Sequence, residues 1–334
     1  TTFHSLALDI VMRAASDDAQ LRLLSGAEQE RAVREVLDGT LEDPLLRDTW
    51  PESLREAVAT RGFAREVRGA FAAARALGLA GDEIARFGKR AGDLAWASVG
   101  PVLDAYLETQ DQQFALDYAE LMFRAVAQLR SDGAVESAGI RHIIVDEYHD
   151  TDRMQVALLQ ELSRAAQSIV VMADPDQGIF GFRGGVVENV RDFAQDFQAY
   201  AVARGQERPQ VFSLRQSYRL GKALRDYGRG VFGGAIPAGI DPDIMLAHRM
   251  PTPAQHRTNV SVRCFDDLAS ESAHIAAEIR SVVQRDGAAW SEIAVIARST
   301  VVLVHVAAKS IASFAANFSR FSGSLYSDTP SAST

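Results

Sequence analysis

Two short runs of branched apolar residues, Ile143-Ile-Val145 and Ile169-Val-Val-Met172, constrain this 334-residue chain more than any other feature. Runs of this kind, with no polar alternation, suit strands buried on both faces of a parallel sheet. Between them Met154, Leu158, Leu159 and Leu162 share one face of a helix that starts near Thr151 or Asp152. Strand, helix, strand is a βαβ unit, whose crossover is right-handed almost by rule. The chain is therefore expected to be α/β after Gly139. Similar signals recur downstream: an apolar run at 211–214, an alternating strand at 260–265, an amphipathic helix at 268–284 and a buried strand at 293–296. They predict a second α/β unit beginning near residue 205.

Residues 6–129 read differently, as helix after helix rich in Ala, Leu, Arg and Glu. Ser25 and Glu28 have the spacing of a capping box in front of a helix through Leu37. Pro44, Pro51 and Pro101 mark expected helix boundaries. From about residue 301 the tail is Ser-rich, without clean periodicity, and is expected to be atypical and disordered. The chain starts without methionine, which reads as a piece of something longer.

Composition narrows the function. With 35 Lys and Arg against 44 Asp and Glu, the net charge of −9 argues against nucleic-acid binding by bulk positive charge and leaves room for a local basic groove. The single cysteine, Cys264, excludes an intrachain disulfide framework and points to a reduced, cytoplasmic protein. In its alternating run it reads as a small core residue. No apolar run reaches the roughly 18 residues of a membrane span.

The chemistry concentrates where the two strands end. Asp146 and Glu147 close the first, and in open α/β sheets ligands bind beyond the carboxyl ends of the strands. Paired carboxylates there suit a Mg-nucleotide site, one holding hydrated Mg²⁺ and the other activating water. An acidic turn capping the next helix has the same residues. The second run leads into Asp174, Asp176 and Gln177, placed at the same edge. Gln177 has the reach to hydrogen-bond a phosphate or the attacking water. Phe180, Phe182 and Arg183 follow between glycines, suited to stacking unpaired bases and gripping phosphates, although a Phe-x-Phe also serves as core. An acidic nuclease built on Asp146 and Glu147 would need further carboxylates and a basic residue that the sequence does not place.

Asp146-Glu-Tyr-His-Asp150 with Asp174-Pro-Asp-Gln-Gly-Ile-Phe-Gly-Phe-Arg-Gly184 resembles the second and third motifs of UvrD/Rep/PcrA-like superfamily 1 DNA helicases. Thr2-Phe-His-Ser5, Leu214-Arg-Gln-Ser-Tyr-Arg219 and Glu292-Ile-Ala-Val-Ile-Ala-Arg-Ser299 resemble three more, in the order the family requires. The helical segment further resembles actinobacterial AdnA/AdnB-type helicase-nuclease subunits. The resemblance implies a RecA-like parallel-sheet motor domain from residues 1–10 and 116–204, a helical insertion at 11–115 and the start of a second RecA-like domain at 205–300. It implies ATP and Mg²⁺ as cofactors, single-stranded and duplex DNA as partners and, in its narrower form, a helicase-nuclease partner subunit. Asp146 would organise Mg²⁺, Glu147 activate water and Gln177 couple the γ-phosphate to DNA. Tyr218 would stack on adenine and Arg219 reach the γ-phosphate as an arginine finger. Thr2, Phe3, His4, Phe180, Phe182 and Arg183 would lie along the DNA. In such proteins the helical insertion touches duplex, which gives Arg61, Arg65, Arg68 and Arg75 a candidate role beside that of a solvated face.

The sequence also departs from the pattern. His149 stands where the family usually has glutamine, Ala173 where it has glycine, Gly178 where it has serine and Ser217 where asparagine is common. No G-x-x-x-x-G-K-[ST] phosphate loop occurs in these residues. The expectation is a parent motor whose fragment is inactive by itself, set against a non-catalytic DNA-binding or scaffold subunit with a degenerate helicase fold.

Overall fold

The computed structural model describes residues 1–14, 21–42, 47, 50–131, 133–179, 185–236, 240–255, 258–297 and 300–311. They fall into two compact units, Thr1–Arg215 with Gly233–Pro251, and Gln216–Phe232 with Thr252–Thr334.

The first unit opens with α1 (Phe3–Ala14), β1 (Arg22–Leu23) and α2 (Gly26–Glu42). The Ser25 and Glu28 box forms: Ser25 N donates to Glu28 Oε2 at 2.8 Å, and Glu28 N to Ser25 Oγ at 3.4 Å. α3 (Glu52–Val58), α4 (Arg61–Ala76), α5 (Gly81–Ala91) and α6 (Leu94–Gln112) follow. Thr60 caps α4 and Asp93 caps α6 by accepting first-turn N–H groups that have no helical partner. Next come β2 (Ala115–Leu116), α7 (Tyr118–Leu129), α8 (Ala134–Ser137), β3 (His142–Val145), α9 (Arg153–Ser163) and β4 (Ser168–Val171). α10 (Glu188–Asp196) and α11 (Gln198–Val202) complete this stretch.

β3 and β4 pair in parallel, His142 opposite Ser168 through Val145 opposite Val171, and α9 is the crossover between them. Asp152 caps α9 in a reciprocal box with Gln155. Two apolar clusters hold the unit. One joins α1, α7, β3 and α9 through Ile10, Leu121, Val145, Tyr148, Leu158 and Phe197; the other joins α2 to α6 through Leu37, Trp50, Phe71, Ile84, Leu103 and Tyr106.

Pro101 lies inside α6 rather than at a boundary. The residue before a proline is pushed out of the helical region by its own Cβ, and Gly100 has none. Gly100 also serves the packing: a Cβ there would come under 3.0 Å from Ala85, and one on Gly88 would meet the backbone of Trp96 and Ala97 at 2.7 and 2.8 Å. Gly88→Ala is expected to cost about 2 kcal/mol or more, since α6 has to shift to admit it. A urea midpoint equal to that of the unsubstituted protein would refute this close approach.

In the second unit β5 (Gln216–Gly221) leads into α12 (Lys222–Phe232), while α13 (Pro242–Arg249) returns to the first. β6 (Thr252–Ala254) pairs in parallel with β5 across an irregular register. α14 (Leu268–Asp286), capped by Asp267 and closed by left-handed Gly287, packs on α15 (Thr300–Ile311). That last helix corrects the expectation of an aperiodic tail for residues 300–311; residues 312–334 lie outside the described residues.

The runs at 211–214, 260–265 and 293–296 form no strand among the described residues. Phe212 is 80% exposed and Ile296 94%. An apolar run becomes a parallel strand only beside a partner of matching register, and none of the described residues supplies one. Cys264 is accordingly exposed and not a core residue.

Candidate functional site

The site begins at the carboxyl end of β3. Pairing continues past the strands, with Met172 N donating to Val145 O at 2.8 Å and Tyr148 N to Met172 O at 2.9 Å. The chain must therefore turn sharply between Val145 and Tyr148. Glu147 makes the turn in the left-handed region, φ 52° and ψ 41°. This conformation costs roughly 1–2 kcal/mol for a residue with a Cβ, and such strain gathers at functional sites. Asp146 Oδ1 accepts from Glu147 N at 3.0 Å, and both carboxylates are exposed.

Beneath them Tyr148 and His149 are buried. Tyr148 meets Phe193 edge-on at 5.5 Å, and burial, with Asp196 adding, raises its phenol above the usual range. His149 links the two strand ends: its Nδ1 accepts from Asp174 N at 3.0 Å, and its Nε2 lies 3.1 Å from Glu147 Oε2. Because Nδ1 is an acceptor, the ring hydrogen sits on Nε2, which stands beside the Glu147 carboxylate without an aligned hydrogen bond to it.

After β4 the chain folds over Asp174. Its Oδ1 accepts from Asp176 N at 3.0 Å, its Oδ2 from Gln177 Nε2 at 2.6 Å, and its carbonyl from Gln177 N at 3.0 Å. Burial works to raise the Asp174 carboxyl, but bonds from His248 and Gln177 outweigh it and bring it to about 2. At Gly178 a Cβ would collide with a Val187 methyl, so the serine common in the family would require that valine to move.

The structure thus brings Asp146, Glu147, Asp174 and Gln177 together through His149. Tyr218, 88% exposed, and the exposed Arg219 stand in β5 of the second unit. Phe180, Phe182 and Arg183 lie outside the described residues. Thr2 caps α1, its Oγ1 accepting from Ser5 N at 3.2 Å. Phe3 packs against the first cluster and His4 meets Tyr118 edge-on at 5.1 Å. Burial holds the His4 ring below its usual range, against the pull of Asp152. His4 lines a cleft of about 400 Å³ with Arg75, Asp117, Tyr118 and Asp152.

The candidate duplex-binding row loses a member, because Arg75 is buried against Glu120. Arg65 faces Glu30 at 3.7 Å and Arg68 donates to Gly26 O at 2.9 Å, whereas Arg61 is exposed. Sequence reading assigned no role to His248 and Arg249, which touch the Asp174 loop from more than 70 positions away. Neither carries a local signal.

A parallel strand pair ending in these acidic edges defines an α/β site of mixed helix and strand. The sequence model of the UvrD/REP helicase N-terminal domain matches residues 1–198, and the chain belongs to that family. It is 26% identical to DNA helicase II of Escherichia coli K12 over 201 residues, 59% of this chain and 26% of that protein. It is 27% identical to the ATP-dependent DNA helicase Rep of the same organism over 226 residues, 66% of this chain and 29% of Rep. With the ATP-dependent DNA helicase UvrD1 of Mycobacterium tuberculosis it shares 34% over 115 residues, 31% of this chain and 15% of that protein. The chain thus spans less than a third of each of these relatives. Among the described residues no helix is long and apolar enough to cross a membrane.

Proposed function

We propose that this segment is the centre of an ATP-dependent DNA helicase that translocates 3′ to 5′ on single-stranded DNA and unwinds duplex in repair or recombination. Residues 1–10 and 116–204 belong to a first RecA-like motor domain, 11–115 to its helical insertion and 205–300 to the start of a second. The two separate apolar clusters of the first unit support the first of these divisions. The protein acts in the cytoplasm, and a helicase-nuclease subunit is its candidate partner.

The observation that carries the reading is the Asp146 and Glu147 pair, exposed at the end of a parallel strand and joined through His149 to the Asp174 loop. Asp146 offers hard carboxylate oxygens at an exposed edge, which fits Mg²⁺, an ion that keeps several of its waters. Bound ATP would supply the phosphoanhydride, and Mg²⁺ held by Asp146 would neutralise charge on it. Glu147 takes the proton of the attacking water, with the His149 ring beside its carboxylate. Gln177 reports the γ-phosphate, Tyr218 stacks on the base and Arg219 reaches across as an arginine finger. Thr2, Phe3, His4, Phe180, Phe182 and Arg183 guide the strand. Lacking a phosphate loop, residues 1–334 by themselves neither hold ATP tightly nor hydrolyse it.

The test is ATP hydrolysis by the whole protein with and without single-stranded DNA. Turnover that rises with DNA supports the reading. DNA binding without turnover would replace it with the non-catalytic scaffold, and Mg²⁺-dependent cleavage without ATP with a nuclease.

A further inference from the structure

The end of α13 reaches the Asp174 loop. His248 Nε2 lies 2.9 Å from Asp174 Oδ1. Arg249 grips Asp176 with both arms, Nε to Oδ2 and Nη2 to Oδ1, each at 2.7 Å. Their side chains are only 8% and 10% exposed, so this is a bidentate pair away from water, the geometry that makes arginine and carboxylate contacts strong and directional. Arg249 Nη1 also donates to Ala235 O at 2.6 Å. The helix is anchored independently, by the Asp241 cap, by buried Met245 and by Ser213 Oγ donating to Ile244 O at 3.1 Å.

The contacts converge on one side chain. Asp174 receives His248 and the Asp176 amide on Oδ1 and the Gln177 amide group on Oδ2, so α13 is two hydrogen bonds from Gln177. The ligating atoms of Asp174, Asp176 and His248 lie within 4.8 Å of one another, but Arg249 occupies both oxygens of Asp176. The cluster is closed by its own hydrogen bonds, and no metal is needed to explain it.

We infer that His248 and Arg249 are positioning residues, holding the Asp174–Gln177 loop so that the Gln177 side chain is presented at the end of β4. The role rests on the proposed reading of Gln177 as the group that senses phosphate. The clamp ties a helix downstream of the loop to the part of the site that must change when nucleotide binds.

Its pH behaviour follows from the groups facing the imidazole. The bond to Asp174 raises the His248 value, burial opposes, the Asp174 and Asp176 charges add and Arg249 detracts. Asp174 stands at about 2. A raised histidine contributes fully below its unfolded value and is lost as pH rises through its folded one; a depressed carboxylate contributes above its unfolded value and is lost in acid. The His248–Asp174 contact is therefore strongest between about pH 4 and about pH 6.5. It fades as pH climbs through the raised His248 value, and again near pH 2.

Two measurements on the 334-residue chain without nucleotide test the clamp: amide exchange at Asp176 and Gln177, and NMR titration of the His248 ring. His248→Ala and Arg249→Lys are expected to speed exchange of both amides at least several-fold, and Asp174→Asn to lower the His248 midpoint. Unchanged exchange and an unchanged midpoint would overturn the clamp. In the whole protein His248→Ala should lower kcat more than it raises KM for ATP. His248→Gln, which keeps a donor without a titrating ring, should restore kcat and flatten its pH profile. If Gln177→Ala abolishes turnover while His248→Ala leaves it untouched, the positioning role is wrong. If Gln177→Ala itself leaves turnover untouched, the reading of Gln177 fails, while faster exchange would still support the clamp.

Discussion

Arg75→Ala is expected to destabilise the first unit by about 3–5 kcal/mol, the usual cost of stripping one partner from a buried ion pair. Arg75 and Glu120 are each 7% exposed, with Nη2 and Oε2 2.8 Å apart. Neither that oxygen nor Arg75 Nε has an aligned hydrogen-bond partner, so charge holds this contact together. Arg75 also donates to Leu79 O at 3.1 Å and stacks over Phe123 at 4.1 Å. Truncation would leave Glu120 with Arg124 alone, at 2.9 Å. Burial already raises the Glu120 carboxyl above its usual range, against the pull of Arg75 and Arg124, and losing Arg75 raises it further. A carboxyl whose folded value is raised takes up its proton more readily folded than unfolded, so the deficit should shrink as pH falls. Urea denaturation at pH 5 and pH 8 reads both effects. A loss near 1 kcal/mol with no pH dependence would mean the pair is solvated.

Glu147→Gln in the whole protein is expected to lower ATP turnover by about 10²–10⁴-fold, the range for removing a general base, with ATP binding retained. The substitution keeps shape and hydrogen bonding and removes only the proton acceptor. Glu147→Gly separates chemistry from strain. Glycine accepts a φ of 52° without penalty, so this variant should unfold at higher urea than the parent while turning over no faster than Glu147→Gln. Turnover within tenfold of the parent in either variant would remove Glu147 from the proposed mechanism.

The βαβ unit at 143–172 was readable in the sequence because its signals are local: apolar runs, a capping box and one helix face. The runs at 211–214, 260–265 and 293–296 carry the same local signal, yet form no strand among the described residues, since pairing depends on a partner that composition does not encode. Pro101 misled for a related reason, because what matters is the glycine before it and the helix it faces. In the site, Asp146, Glu147 and Gln177 stand out from their motifs. The bridge made by His149 was visible only as a departure, and the His248 and Arg249 contacts arise from folding across more than 70 positions. Arg75 looked like one of a surface row until packing turned it inward.

The crossing of α5 and α6 has a mechanical side. Where Gly88 and Gly100 bring main chain against main chain, no flexible side chain lies between the helices to take up slack. A push on exposed Lys89 or Arg90 would therefore meet a close main-chain contact and not a cushion of side chains. Further along α6 stands Tyr106, whose hydroxyl donates to Asp117 at 2.9 Å. Asp117 is the cap of α7, which packs on both α1 and α9. Contacts thus run from the helical cluster to the helix that leads into β4.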